Sequence, residues 1–385
     1  MLTDHLEGIV YFVTLLLLIA TSNLLVLRRL GKQQPPKGIY RVSILVPARD
    51  EQDNIESCIR SLLAQDYPDY QIVVLDDHST DRTRPILDEI AREHSQLTVL
   101  SGQTLPSGWL GKHWACQQLG EASDGDLLLF TDADTRHKPQ ALSQAVSALQ
   151  QEKAGMLSAL VHQEVSSWTE KLAVPVMSWS IFSVFPFLIA HSVRLPLLAL
   201  ANGQYILFTR QAYQQIGGHA AVRADPVDDI ALARRAARLG IRWRMVDATP
   251  QVSCRMYRHR RQVLEGFTKN LYATFGRIIP LYLFIWLWMA VAFVEPWALI
   301  IWYSLGKILK MPTPWITQVS LQLIAAAILL SFLQWGLVYW RLRFPIRLIL
   351  IYPLSVLFFA WLAFRSMIFN ITGKATWKGR MIRNP

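Results

Sequence analysis

The chain has 385 residues, just over half of them apolar, with fourteen Trp and a formal net charge of +11. That length accommodates one α/β catalytic domain plus about three or four membrane segments. Much of the positive charge flanks apolar runs, where Arg and Lys are attracted to anionic lipid by about 1 kcal/mol each. No zinc knuckle, RNA-binding aromatic motif or helix-turn-helix is present, so a lipid bilayer is the expected partner and nucleic acid is not.

From Ile9 to Leu27 the chain is almost uninterruptedly apolar, long enough to cross a hydrocarbon core as a helix. A cleaved signal peptide is the rival reading, since Ala20 and Ser22 imitate a small-residue cleavage site. The flanks favour an uncleaved anchor over residues 1–30: Asp4, His5 and Glu7 precede the run, whereas Arg28, Arg29, Lys32 and Lys37 follow it. By the positive-inside rule the amino terminus is outside and the chain after Arg28 is cytoplasmic. Cys58, Cys116 and Cys254 lack CxxC spacing, and so sparse a set suits a reducing compartment.

Gln33 to Gly38 reads as a short Pro-containing linker, after which the pattern changes. Strands are predicted at 42–47, 71–75, 97–100 and 126–130, and helices at 55–65, 83–94 and after Gly111. Continuous apolar strands alternating with amphipathic helices specify an α/β domain, over 40–275, with a mostly parallel sheet covered on both faces. Residues 172–200 are apolar but interrupted by Pro175, Pro186, His191, Arg194 and Pro196, which suits an interfacial or re-entrant segment better than a span. A strand at 205–209 and a helix at 226–239 resume the soluble pattern. Three apolar runs, Ile278–Tyr303, Ile316–Trp340 and Ile346–Phe364, are each long enough to be membrane helices within 278–370, before a basic tail at 371–385.

Acidic clusters sit at the carboxyl ends of the predicted strands, where such sheets bind ligands. Asp76 and Asp77 end the second strand and suit hydrogen bonding to a nucleobase or ribose; the plain alternative is a solvated turn with a helix cap. Asp132 and Asp134, in Phe130-Thr131-Asp132-Ala133-Asp134, can give a hard cation two oxygen ligands and leave positions for a diphosphate. In the third cluster, Asp225-Pro226-Val227-Asp228-Asp229-Ile230, Asp225 and Pro226 make a good helix start, with acids complementing the dipole. The functional reading adds a general base that takes a proton from an attacking hydroxyl.

These clusters, with Val46-Pro47-Ala48-Arg49-Asp50-Glu51 before them, resemble family 2 glycosyltransferases of the GT-A fold over roughly Arg41 to Asn270. The resemblance implies an inverting single displacement from a nucleotide-sugar, a UDP-sugar being favoured, with Mg2+ or Mn2+ as cofactor. It places Pro47, Arg49 and Glu51 on the nucleotide side, Asp76 and Asp77 on uracil, and Asp132 and Asp134 on the metal, with Asp132 also facing the donor. Asp229 carries the role of base and Asp228 supports it. Leu105-Pro106-Ser107-Gly108-Trp109-Leu110-Gly111-Lys112-His113-Trp114-Ala115, Arg255-Met256-Tyr257 and Gly266-Phe267-Thr268-Lys269-Asn270 resemble the membrane-bound branch with carotenoid and hopanoid-cluster-associated glycosyltransferases. Lys112 then becomes a phosphate-side cation, and Arg255 and Arg258, with Arg260 and Arg261, either close over the diphosphate or form a basic membrane-facing patch. The Gln-x-x-Arg-Trp run of processive synthases is missing: Arg242-Trp243 lacks the leading Gln and lies too close to Asp229. A polysaccharide synthase is thus the alternative and a silent membrane scaffold the third reading.

Asp132 and Asp229 have to meet at one sugar, so the chain between them is expected to cross the bilayer an even number of times, most simply zero. Residues 172–200 would then form a floor admitting a membrane lipid acceptor, with Trp179 and Phe182 on the acceptor side. Three full C-terminal spans would put the tail outside, whereas Lys374, Lys378, Arg380 and Arg383 prefer the cytoplasm. Glu295-Pro296, Pro353 and Arg365 mark runs that are candidates for a non-simple crossing.

Overall fold

The computed structural model describes residues 2–31, 35–193, 195–274, 278–312, 316–373, 376–377 and 380–381. Lys32, Gln33, Arg194, Lys374, Lys378 and Arg383, and the side chains of Asn270 and Arg380, lie outside what is described. The chain divides into two compact units. One is helical, residues 1–25, 165–186 and 257–385; the other is an α/β unit, residues 26–164 and 187–256.

Helix α1 (Leu2–Val26) opens the helical unit. In the α/β unit, β1 (Val42–Ala48), β2 (Tyr70–Asp76), β3 (Leu97–Ser101) and β4 (Leu127–Thr131) alternate with α2 (Ile55–Leu63), α3 (Thr83–Glu93) and α4 (Gly111–Ala122). Then come β5 (Thr135–His137), α5 (Ala141–Gln151), β6 (Met156–Leu160) and β7 (His162–Gln163), and, after the helical α6 (Trp168–Val184), α7 (Phe187–Ser192), β8 (Tyr205–Thr209), α8 (Arg210–Gln215), α9 (Asp228–Arg238), β9 (Trp243–Asp247) and β10 (Val252–Cys254). Strands β1, β2 and β4 are apolar on both faces because helices cover both, and their residues are almost all buried.

The seven-stranded sheet has the order β3-β2-β1-β4-β8-β6-β9. Pairing is parallel from β3 through β4 and between β6 and β9, whereas β8 runs antiparallel to both β4 and β6. The chain leaves β1 toward β2 and β3, then returns to place β4 on the other side of β1. The carboxyl ends of β1 and β4 therefore flank a topological switch point, the place where such sheets bind ligands. A second sheet, β5-β10-β7, lies beyond the end of β4 and pairs Cys254 with both Thr135 and Gln163. The sequence pattern left β6, β9 and the small sheet unassigned.

In the helical unit, α10 (Arg260–Thr274) packs against α13 (Tyr352–Ile371), which also contacts α11 (Ile279–Ile308). Among the described residues, four stretches are long and apolar enough to cross a membrane: Leu2–Val26, Ile279–Ile308, Gln318–Leu342 (α12) and Ile346–Ile371. Pro353 falls in the first turn of α13, where its missing N–H costs nothing, so it starts that helix rather than breaking it. Glu295 meets His5 at 2.9 Å, and Arg365 donates to Thr268 Oγ1 at 3.1 Å while lying over the Phe369 ring. Both ionisable residues thus have protein partners, as buried or membrane-level charges require.

Residues 172–200 do not act as one segment. Helix α6, opened by a Ser167–Glu170 capping box, belongs to the helical unit, whereas α7 and the short 3-10 turn Pro196–Leu198 belong to the α/β unit. Trp179 is fully enclosed: its indole stacks on Trp335 at 4.5 Å, meets Phe293 edge-on and donates to Gln334 Oε1 at 3.0 Å. Phe182 is equally buried, and its carbonyl accepts from Asn23 of α1. The expectation that these two side chains face an acceptor is corrected here, because protein occupies all of their surface.

Candidate active site

The loop after β1 is stitched to the loop after β2. Asp77 N–H extends the ladder to the Ala48 carbonyl, Glu51 N–H donates to Thr83 Oγ1, and Asp50 Oδ1 accepts from Thr80 N–H. Asp50 and His78 both take left-handed backbone conformations (φ 49° and 54°), which fold the loops tightly together. Asp76 is buried at the strand end and accepts from Ser79 N–H, which pins the following turn. Arg49 donates to both the carbonyl and the carboxylate of Asp77, at 3.0 and 3.3 Å. Asp76 and Asp77 therefore stand side by side as expected, and Arg49 is the anchor of Asp77.

The bend after β4 is held by a buried hydroxyl network. Thr135 Oγ1 donates to the Asp132 carbonyl at 2.7 Å and lies 3.0 Å from Thr131 Oγ1, while His137 Nε2 is 2.9 Å from Thr135 Oγ1. Burial pushes His137 down to about 3, so this imidazole stays neutral and acts as a hydrogen-bonding spacer. The bend aims Asp132 and Asp134 away from the sheet end. Burial first, then the charges of Asp132 and Glu51, push Asp134 up to about 7, and its Oδ1 is buried without a hydrogen-bond partner among the described residues. Cys254, from the small sheet, lies against Asp134 and accepts from Gln204 Nε2 at 3.0 Å; burial and the two aspartates keep it a thiol.

Lys112, in the first turn of α4, closes the other side. Its ammonium sits 2.6 Å from Asp132 Oδ1 and faces Asp228 as well. The segment before it is zipped to the approach to α9: Leu110 N–H donates to the Arg223 carbonyl and His113 Nε2 to the Asp225 carbonyl. The long motif around Lys112 thereby positions the acids that follow. Helix α9 begins at Asp228 with Val227 as its N-cap, so Asp225 is not the cap the sequence suggested; its carbonyl serves His113 instead.

Asp228 and Asp229 occupy the first turn of α9, at its positive end. Asp229 Oδ2 accepts from Gly203 N–H at 2.7 Å and Oδ1 from Ile230 N–H at 2.7 Å, so its carboxylate is fixed from two directions. Burial and the neighbouring Asp228 push Asp229 up to about 7. Burial acts on Asp228 in the same sense, but the Lys112 ammonium outweighs it and holds that carboxyl below its ordinary value. The pair therefore separates into an ionised support and a carboxyl poised near neutrality, the division of labour a general base needs. Pro47, Lys112, Asp132, Gly203, His219 and Asp228 line one narrow recess. Sequence reasoning missed Gly203 and His219, which no acid-bearing motif contains. Arg255 follows β10 in the α/β unit, while Arg258 belongs to the helical unit, where its backbone N–H donates to Gln262.

Residues 43–217 match the family model described as glycosyl transferase family 2. Over that stretch the chain is similar to family 2 glycosyltransferases. It is 25% identical to a 4,4'-diaponeurosporenoate glycosyltransferase of Staphylococcus aureus over 286 residues, 72% of this chain and 74% of that one. It is 33% identical to a beta-monoglucosyldiacylglycerol synthase of Nostoc sp. over 134 residues, 34% of this chain. The chain spans 28% of the length of that synthase. Among solved structures it is similar to a mannosyltransferase from Pyrobaculum calidifontis in complex with GDP-Man and Mn2+, with a TM-score of 0.52 at 20% identity over 84% of this chain and 98% of that one. The glycosyltransferase fold is GT-A-like, a mixed, mostly parallel sheet, with long apolar helices at both ends of the chain.

The acids at the end of β4 fit a divalent cation. Asp134 presents a buried oxygen with no partner, in a field made negative by Asp132 and Glu51, and a cation there relieves both conditions. Among the described residues no three His, Cys, Asp or Glu side chains form a closed cage. Two carboxylates at one bend are a donor set that would suit a hard divalent cation such as Mg2+ or Mn2+. A cation on Asp132 would compete with the Lys112 ammonium for that carboxylate.

Proposed function

We propose that this chain is a family 2 glycosyltransferase that moves a sugar from a nucleotide-sugar to a hydroxyl of a membrane lipid, with inversion, on the cytoplasmic side of the membrane. What carries the reading is the gathering of Asp132, Asp134, Lys112, Asp228 and Asp229 at the switch point of the sheet. Asp76 and Asp77 bind the nucleoside, with Pro47 and Glu51 beside them and Arg49 holding Asp77. Asp132 and Asp134 hold Mg2+ or Mn2+, which when bound offsets charge on the diphosphate. Lys112 supplies a second cation to the leaving group, and Arg255, which follows β10 in the same unit, is assigned to the same diphosphate.

Asp229 takes the acceptor hydroxyl's proton. As the acceptor oxygen bonds to the anomeric carbon, the bond from that carbon to the phosphate oxygen breaks and the nucleoside diphosphate leaves with the electron pair. One displacement on the face opposite the leaving group inverts the centre. Asp228, held ionised by Lys112, raises the proton affinity of its neighbour, so Asp229 once ionised is the stronger base.

A lipid acceptor is supported by four helices of membrane-spanning length and by apolar residues exposed on the α/β unit itself. Leu188, Ile189, Leu195 and Leu197 are 51–77% exposed, and the turn Pro196–Leu198 packs on α9, whose first turn carries the base. Exposed aliphatics there give a lipid tail contact while its hydroxyl approaches Asp229. The similarity to the diaponeurosporenoate transferase favours a carotenoid or other isoprenoid, and the similarity to the glucosyldiacylglycerol synthase supports a glycerolipid as second reading. Purified full chain in nanodiscs, given a panel of nucleotide-sugars and either lipid class, decides between them. Transfer to a water-soluble alcohol in preference to both lipids would overturn the lipid assignment.

A further inference from the structure

His219 lines the recess beside Lys112 and Asp228, and the way it is held fixes which of its nitrogens carries hydrogen. Its Nδ1 lies 2.8 Å from Tyr213 Oη, and its backbone N–H donates to that same oxygen at 3.3 Å. If Nδ1 carried the hydrogen, the Tyr213 hydroxyl would receive two donors and its own hydrogen would be buried with no acceptor. If the hydroxyl donates to Nδ1, every group is satisfied. The second arrangement leaves the hydrogen on Nε2, which makes no hydrogen bond among the described residues. Burial keeps the imidazole neutral, pushing it down to about 3. The ring packs on Phe130, with centroids 4.8 Å apart, so its plane is set as well.

Two glycines make this arrangement possible. A Cβ at Gly120 would lie 2.9 Å from Tyr213 Oη, and one at Gly218 3.0 Å from Tyr213 Cζ. Gly218 also has φ +55°, which turns the chain so that His219 N–H and its ring address one hydroxyl. Tyr213 is thus seated with little tolerance, and the hydrogen bonds of its hydroxyl go to His219.

We propose that His219 Nε2–H and the Asp228 carboxylate together read one hydroxyl of the transferred sugar. A hydroxyl is both a donor and an acceptor; it gives its hydrogen to Asp228 and receives one from His219. The group so read is on the sugar, because the recess is shared with Asp132 and Lys112, assigned to the donor's phosphate side, and with Pro47, assigned to its nucleotide side. This inference rests on the glycosyl-transfer reading above.

The test uses the full chain with its best nucleotide-sugar, the set of that donor's mono-deoxy analogues, and the nucleoside diphosphate alone. His219→Leu is expected to lower kcat/KM for the intact donor by about 10-fold, the worth of one neutral hydrogen bond. One deoxy analogue, already poor with the wild type, should lose nothing further, and nucleoside diphosphate affinity should stay within about twofold. His219→Gln, whose amide N–H can replace Nε2–H, should recover most of the loss. Tyr213→Phe, which releases the tautomer, should fall between. Equal losses for the donor, all analogues and the nucleoside diphosphate would make His219 a packing residue and overturn the proposal. So would an unaffected intact donor, which would leave a water-filled recess. Failure of the wild type to turn over any nucleotide-sugar would sink the transferase reading itself, and this proposal with it.

Discussion

Gly203→Ala puts one methyl group against the base. The added Cβ would stand 3.3 Å from Asp229 Oδ2, 3.6 Å from Asp229 Cβ and 3.6 Å from Lys112 Nζ. The first distance is a few tenths of an ångström inside comfortable contact, so Asp229 has to move by about that much. Since roughly 1 Å of misplacement costs on the order of 100-fold in rate, a shift of about 0.3 Å costs roughly fourfold. The methyl also removes water from the carboxylate, raising its pKa further, so a fall of about 3- to 10-fold in kcat at neutral pH is expected. The assay is single-turnover transfer at saturating donor, with nucleoside diphosphate affinity measured in parallel. Because Asp132 and Asp134 are untouched, that affinity should not change. A kcat within experimental error of the wild type would refute the claim that the close approach of the Gly203 backbone fixes the position of the catalytic carboxylate.

The pH profile follows from Asp229, which acts only when ionised and whose pKa is pushed up to about 7. With Mn2+ saturating throughout, kcat/KM should therefore fall about tenfold per unit below neutrality and level off above it; a flat profile from pH 5.5 to 8 would contradict the assignment. Asp134, also pushed up to about 7, must lose its proton to bind a cation, so Mn2+ affinity measured by electron paramagnetic resonance should rise with pH over the same range. Lys112→Met removes a partly exposed ion pair and should cost at most about 1 kcal/mol of stability. It should tighten Mn2+ binding to the nucleotide-free protein, by ending competition for Asp132, while weakening donor binding; looser metal binding would show that Lys112 does not compete. Leu197→Asp, at a 77% exposed aliphatic, should raise KM for lipid acceptor several-fold without altering nucleoside diphosphate release in its absence.

The strands bearing the acids were legible because burial on both faces leaves continuous apolar runs, as in Ile44–Val46 and Leu127–Phe130. Their ends were legible for the same reason: carboxylates that stop an apolar run mark where the strand leaves the core. Composition did not reveal what holds those acids. Gly203 and Asp229 are 26 residues apart, and Lys112 and Asp132 are 20 apart; only topology joins them. His219 carries no signature either, since its role depends on a tyrosine hydroxyl six residues earlier. Trp179 and Phe182 were misjudged because aromatic residues packed against other helices and those facing lipid look alike in sequence. The indole hydrogen bond to Gln334, 155 residues away, makes the difference. Strands β6 and β9 went unassigned; β6 is a short apolar stretch, Met156–Leu160, ambiguous between strand and helix by periodicity alone.

The central claim is that one site, at the switch point of the sheet, couples metal-dependent donor binding to proton removal by Asp229. Its most direct test compares wild type, Asp134→Ala and Asp229→Asn, as full chains in nanodiscs, for Mn2+-dependent nucleoside diphosphate binding and for sugar transfer to membrane lipid. The account predicts that Asp134→Ala loses both, whereas Asp229→Asn keeps binding within about twofold and loses transfer by at least about 100-fold. Transfer by Asp229→Asn at near the wild-type rate, or metal-dependent binding that survives in Asp134→Ala, would contradict it.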